Sequence, residues 1–328
     1  MSDKIDTKNH PTVKALIALR DRLELSDAGL ARRDRNSSKT TWSQLQSGTY
    51  PAQDPAAILE RCESGLRLLE DFAERTTAAG QEARAEIIDL PHVRATPAAV
   101  KRCHGEPQNR LVVVLGPSGA GKTTVCRRVC EAYGHAAVAI EATESWRTSY
   151  HYSLAAVADA IDIPEATIDP RRLEGFVFDE LARTPRILVI DEGHYFGPPA
   201  LHLLKVILNK TETRIVLAAI PELWHRMEKK AYEEVLQLRR RTAAKVVVME
   251  VTRDDCRTFL KRKLPGYTAL EAEEKQVVAA CSVAANRFGL YDTLARICSE
   301  VRTELGEKEP ASLDAVNAAI RRVEALRS

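Results

Sequence analysis

The octapeptide GPSGAGKT, residues 116–123, has the Gly-x4-Gly-Lys-Thr spacing of a phosphate-binding loop. Glycines at 116, 119 and 121 let backbone N–H groups approach phosphates closely and take unusual torsions. With Pro117, Ser118, Ala120 and Thr124 they complete the candidate nucleotide-binding set. Lys122 is positioned to contact β- and γ-phosphates, and the Thr123 hydroxyl to ligate Mg2+. The run LVVVL before the loop predicts a strand, and TTVCRRVCEAY after it predicts a helix, the context such a loop requires.

A second apolar run, ILVIDEGH (187–194), ends in adjacent carboxylates. A buried strand ending this way, about 70 residues after the loop, suits a Walker B element. Asp191 is the candidate metal ligand and Glu192 the base that polarises an attacking water. The Asp-Glu pair favours an ATPase over a kinase or GTPase, and the sequence has no good guanine-reading element of the Asn-Lys-x-Asp type. The cofactors expected are therefore ATP and Mg2+. Two further cations are candidates. LQLRRRTAAKVVV places Arg241, then Arg240, where an arginine reaches a neighbouring subunit's γ-phosphate; the alternative is a solvated basic turn. AANRFGLYD places Arg287 at the start of a helix near the same phosphate; the alternative is a surface arginine.

These residues need a scaffold. Short Val/Ile-rich runs at 111–116, 136–141, 186–191 and 214–220 alternate with helical stretches, with a fifth candidate strand at 245–251. That pattern predicts an α/β domain with a parallel sheet buried on both faces. Residues 101–251 form the expected ATPase core and 252–328 a helical lid. Residues 76–100, rich in Ala and Thr with two prolines, read as a linker with a short strand at Ile87-Ile88.

Residues 1–75 read as an all-α, helix-turn-helix head. A helix is expected over 12–23, and a recognition helix over about 38–47. Its candidate DNA contacts are Arg32, Arg33, Lys39, Thr40, Thr41 and Gln44, whose groups suit phosphates and base edges. A protein-docking module with a solvated polar face is the alternative.

Composition sets bounds. The chain has 328 residues, 45% hydrophobic and 29% charged, with a formal net charge of +2. It is no polycation, so nucleic-acid binding must come from local patches. No apolar run reaches bilayer length, and the polar N-terminus lacks a signal-peptide core. A cytoplasmic location without membrane contact is expected. The seven cysteines are scattered and read as reduced thiols.

The order of motifs resembles a family. A helix-turn-helix head, then GPSGAGKT, ILVIDEGH, PELWHRM, LRRRTAAKVVV and a helical lid are similar to the AAA+ ATPases of DNA transposition, above all the B proteins of Mu-type phages and, more distantly, TnsC-like regulators. The likeness spans nearly the whole chain, and the segment LQSGTYPAQDPAAILERCESGLRLLEDF looks like the Mu-type head. The resemblance implies a P-loop AAA+ fold and an ATP-dependent, largely sequence-nonspecific binder of double-stranded DNA. It implies helical filaments in the ATP state, recruitment of a transposase, and release on hydrolysis. The chain departs from the AAA+ pattern at Ala218, Ala219 and Ile220, where a polar sensor is expected. Slow turnover, or substitution by His194, follows. AAA+ machines of secretion, defence or signalling, with a protein-binding head, are the rival class.

Overall fold

Val-, Ile- and Leu-rich runs of five or six residues become strands because β-branched side chains fit a sheet buried on both faces. The computed structural model describes residues 10–22, scattered positions between 44 and 70, and residues 87–163, 170–229, 233–264, 266–306 and 311–326. It divides into two units: Met1–Glu86 with Ile161–Ile168, and Ile87–Ala160 with Asp169–Ser328.

In the first unit, α1 spans Pro11–Arg22, with Pro11 at its first turn, where a missing N–H costs nothing. Val13, Leu16 and Leu19 are buried, at the spacing of one helical face. The candidate contacts Arg32, Arg33, Lys39, Thr40 and Thr41 lie outside the described residues; Gln44 is helical and half-buried.

The second unit opens with α2 (Pro91–Arg102), then β1 (Leu111–Leu115), α3 (Lys122–Tyr133) and β2 (Ala137–Glu141). After α4 (Tyr150–Ala160) and α5 (Pro170–Arg183) come β3 (Ile187–Asp191), α6 (Pro198–Lys210) and β4 (Arg214–Ala219). Next are α7 (Pro221–Lys229), α8 (Glu233–Arg240) and β5 (Thr242–Val247). Four helices end the chain: α9 (Arg253–Lys263), α10 (Glu274–Phe288), α11 (Leu290–Leu305) and α12 (Leu313–Ala325). Side-chain caps fix two of their starts: Thr252 accepts from the Asp255 N–H and Ser312 from the Ala315 N–H, each worth about 1 kcal/mol.

The sheet order is β2-β3-β4-β1-β5, and every pairing is parallel. This is the expected α/β fold with a phosphate-loop domain. β1 is buried throughout and β3 over its first four residues, whereas β5, at the edge, alternates half-buried with exposed positions. One hydrophobic core joins Val112, Val114, Val189 and Val216 of the sheet to Val278, Leu294 and Ile297 of the C-terminal helices. That shared core fixes α11 against the end of β1.

Three expectations shift. Residues 91–100, placed in the linker, are helical: α2 buries Val93, Thr96, Ala99 and Val100 despite Pro97 in its interior. Ile87 and Ile88 form no strand. The fifth strand starts at Thr242, three residues before the apolar run that announced it. None of the seven cysteines is in a disulfide. Burial pushes the thiols of Cys256 and Cys298 up to about 12, which keeps them protonated and unreactive. No helix among the described residues is long and apolar enough to cross a membrane.

Candidate functional site

The loop 116–123 lies at the C-terminal end of β1, where parallel sheets of this kind hold ligands. The Gly116 N–H donates to the Ala219 carbonyl at 3.2 Å, tying the loop to the end of β4. Gly121 precedes α3 with φ 78°, and no side chain caps that helix start. Its first N–H groups therefore face the loop's concavity, as an anion requires.

Lys122 is only 8% exposed. Its Nζ donates to the carbonyls of Gly116 (3.0 Å) and Pro117 (2.9 Å). Burial pushes its ammonium below the ordinary lysine value, while the Glu192 and Asp191 carboxylates pull the other way. The ammonium is thus held at the loop by two carbonyl oxygens.

The Thr123 hydroxyl donates to Asp191 Oδ2 at 2.7 Å, joining the start of α3 to the end of β3. Asp191 Oδ1 accepts the N–H of Glu192 at 2.8 Å. Glu192 adopts a left-handed conformation (φ 55°, ψ 33°), uncommon for a residue with a side chain. It turns the chain sharply after β3. Its Oε2 lies 3.0 Å from His194 Nδ1, close but not aligned as a hydrogen bond. Gly193 makes the turn possible: a Cβ there would lie 2.5 Å from Leu217 Cδ1. Arg226 of α7 holds the His194 carbonyl at 2.9 Å.

The structure thus brings together Gly116–Thr123, Asp191 and Glu192. The end of β4 supplies no polar side chain, since Ala218 and Ala219 are fully buried. His194, the replacement expected from the sequence, lies beside Glu192.

The arginines are arranged differently. Arg241 stands just before β5, and its carbonyl accepts the N–H of Leu111, the first residue of β1. It therefore sits at the opposite edge of the sheet from the loop, on the order of 15 Å away at strand rise. Its guanidinium reaches the Leu208 carbonyl at 3.4 Å. Arg239 lies over the Trp224 ring, and Arg240 is exposed. Arg241 is too far from the loop of its own chain to reach it. Arg287 is in the last turn of α10, not at a helix start, with its guanidinium over Phe288. The expected helix start falls after Gly289 instead.

Residues absent from the sequence-based set also meet the loop. His92 of α2 is buried, its ring 5.1 Å from that of Tyr291 in α11, and a Cβ on Gly121 would lie 3.5 Å from its Nε2. The Gly119 carbonyl accepts N–H groups of Tyr291 (3.0 Å) and Asp292 (3.3 Å). The signal available in the sequence was Gly289 itself, a helix stop and start three residues before Asp292.

Residues 106–227 match the family model of the AAA domain. This segment is an AAA domain. Among solved structures, Cdc6p from Pyrobaculum aerophilum is similar at 14% identity and TM-score 0.53, over 74% of this chain and 69% of that one. The likeness extends the shared fold beyond the AAA domain's own limits. The Holliday junction branch migration motor RuvB of Thermotoga maritima (15% identity, TM-score 0.45) covers 73% of this chain and 71% of that one. The Orc1 protein of Aeropyrum pernix in complex with DNA (17%, TM-score 0.46) covers 74% and 68%. No curated protein matches the chain.

Burial gives the second unit a pH signature through His92 of α2. Its pKa is lowered below the ordinary 6.5 by desolvation, which outweighs the charge of Asp255. Above pH 6.5 both folded and unfolded forms are neutral and the group contributes nothing. Below it the unfolded chain takes up a proton that the fold resists, so stability falls with pH until the lowered folded value is reached. Urea midpoints between pH 7.5 and 5 are expected to fall in the wild type and to fall less in His92→Gln. Parallel curves would show that His92 is not the group responsible.

Proposed function

We propose that the chain is an ATP-hydrolysing switch that assembles on double-stranded DNA and regulates a DNA transposition reaction. The observation that carries the nucleotide part is the contact between Thr123 Oγ1 and Asp191 Oδ2 at 2.7 Å, beside buried Lys122 and the turned-out Glu192. A hydroxyl and a carboxylate oxygen at this distance suit Mg2+, which takes one or two protein oxygens and fills its shell with phosphate oxygens and water. Among the described residues no group of three or more His, Cys, Asp or Glu offers a self-sufficient metal site, in keeping with a metal that arrives with its nucleotide. Mg2+ would neutralise charge on the phosphates. Lys122 would bind the β- and γ-phosphates, and Glu192 would orient and deprotonate water.

DNA binding has two supports. One is the resemblance of the head, with Arg32, Arg33, Lys39, Thr40, Thr41 and Gln44 as the proposed contacts. The other is a row of arginines at the N-terminal edge of the sheet. Arg186, Arg214, Arg110 and Arg241 stand at the starts of the adjacent strands β3, β4, β1 and β5. Glu212 pairs with Arg110, while Arg186 and Arg241 bond carbonyls and Arg214 lies over the Tyr133 ring. Arg110 is buried and neutralised, so the half-buried Arg186, Arg214 and Arg241 would be left to attract phosphodiesters, weakly in one subunit and more strongly in an array. The transposition role and the transposase partner rest on the order of motifs alone.

Negative-stain imaging with and without double-stranded DNA tests the reading. Filaments are expected with ATP and DNA, and few with ADP. Discrete rings indifferent to DNA would favour an AAA+ machine of another system and overturn the transposition assignment.

A further inference from the structure

The C-terminal helices press on the phosphate loop at Gly119. This residue has φ 79°, and a Cβ there would lie 2.1 Å from the Gly289 carbonyl oxygen and 3.1 Å from Asp292 Cβ. Its carbonyl accepts the N–H groups of Tyr291 and Asp292. Only glycine allows so close an approach, so the first turn of α11 is seated on the loop itself. The side chain that this turn brings to the loop is a carboxylate. Asp292 Oδ2 accepts from Arg296 Nε at 3.1 Å, one turn further along α11. Arg287, the cation expected here, ends α10 over Phe288 instead.

A carboxylate placed here affects nucleotides unequally. Nucleoside triphosphates carry about one more negative charge than diphosphates, and that charge sits at the end of the phosphate chain. Repulsion from the Asp292 carboxylate, whose Cβ lies beside Gly119, would fall most heavily on that terminal group. The Arg296 guanidinium offsets part of the repulsion from one turn away.

We propose that Asp292 is a specificity residue of the nucleotide site: its carboxylate weakens triphosphate binding relative to diphosphate in the isolated subunit, and Arg296 moderates it. This inference rests on the reading of residues 116–123 as an ATP site. It gives the terminal phosphate an unbalanced charge that a cation from another subunit would neutralise. Retention of ATP would then be tied to assembly.

The test is a titration of dilute full-length protein with fluorescent, non-hydrolysable ATP and fluorescent ADP, both with Mg2+. Asp292→Asn keeps the shape and removes the charge. Triphosphate affinity is expected to rise about fivefold or more and diphosphate affinity by less than about twofold, with the gap narrowing at high salt. Arg296→Gln is expected to lower triphosphate affinity selectively. An unchanged ratio in both variants, or an equal change for the two nucleotides, overturns the proposal. Lys122→Ala separates the two levels: it should lose both nucleotides. If it binds them as wild type does, the nucleotide site itself is misassigned.

Discussion

Replacing Glu192 with glutamine is expected to slow ATP hydrolysis about 100-fold or more while leaving nucleotide binding and assembly intact, the span a positioned general base supplies. The geometry gives the reason for the split. In the proposed site phosphates would be held by the loop backbone, Lys122 and the start of α3, none of which changes. The metal would be held by Thr123 and Asp191, whose 2.7 Å contact is also untouched. Only the group proposed to take a proton from water is lost. Glutamine tolerates the left-handed backbone at 192 as well as glutamate does, so the turn into Gly193 survives. Assemblies of Glu192→Gln should therefore outlast those of the wild type, because ATP persists in them. The measurement is phosphate release alongside pelleting with DNA. Unchanged release removes Glu192 from the role of base and leaves His194, 3.0 Å from its carboxylate, as the next residue to test.

The parts of this site that were legible in the sequence share one property: each is a local pattern. Phosphate-loop spacing, a strand before it and a strand ending in Asp191-Glu192 depend on neighbours along the chain, so they can be read without the fold. What the sequence hid depends on contacts between distant segments. α2 was obscured by composition, because Pro97 in a helix interior normally breaks it. Here the helix keeps its buried face, and the carbonyl of Pro97 accepts the Tyr133 hydroxyl at 2.9 Å. β5 was shifted because Val248 reads as strand; it lies just beyond the strand, and its N–H pairs with the Leu115 carbonyl beneath the loop. Arg287 was placed at a helix start because the chain reverses close by. The true boundary, Gly289 with φ 143°, hands the position beside the loop to Asp292. The ordering of the arginines likewise needed the structure, since Arg239, Arg240 and Arg241 are equivalent in sequence and distinct in their partners.

That distinction supports the second large effect. Arg240→Ala is expected to reduce ATP hydrolysis by assembled protein about a thousandfold, the order of an arginine supplied in trans. Arg241 was the first choice from sequence. Its guanidinium, however, is drawn to the Leu208 carbonyl, and Arg239 is stacked on Trp224. Arg240, in the last turn of α8 just before β5, is exposed. An arginine there would serve a neighbouring subunit, and this yields a sharp prediction. Glu192→Gln, which keeps its nucleotide and assembles, and Arg240→Ala are each expected to be inactive alone. Mixed in equal amounts, they place an intact base beside an intact arginine at roughly a quarter of head-to-tail interfaces. Hydrolysis should return to a comparable fraction of the wild-type rate. If the mixture stays as inactive as its components, the arginine does not act across the interface, and ATP is not shared between subunits in the way proposed. If Arg241→Ala complements and Arg240→Ala retains activity alone, the roles of the two are exchanged, and the bond to Leu208 must break on assembly.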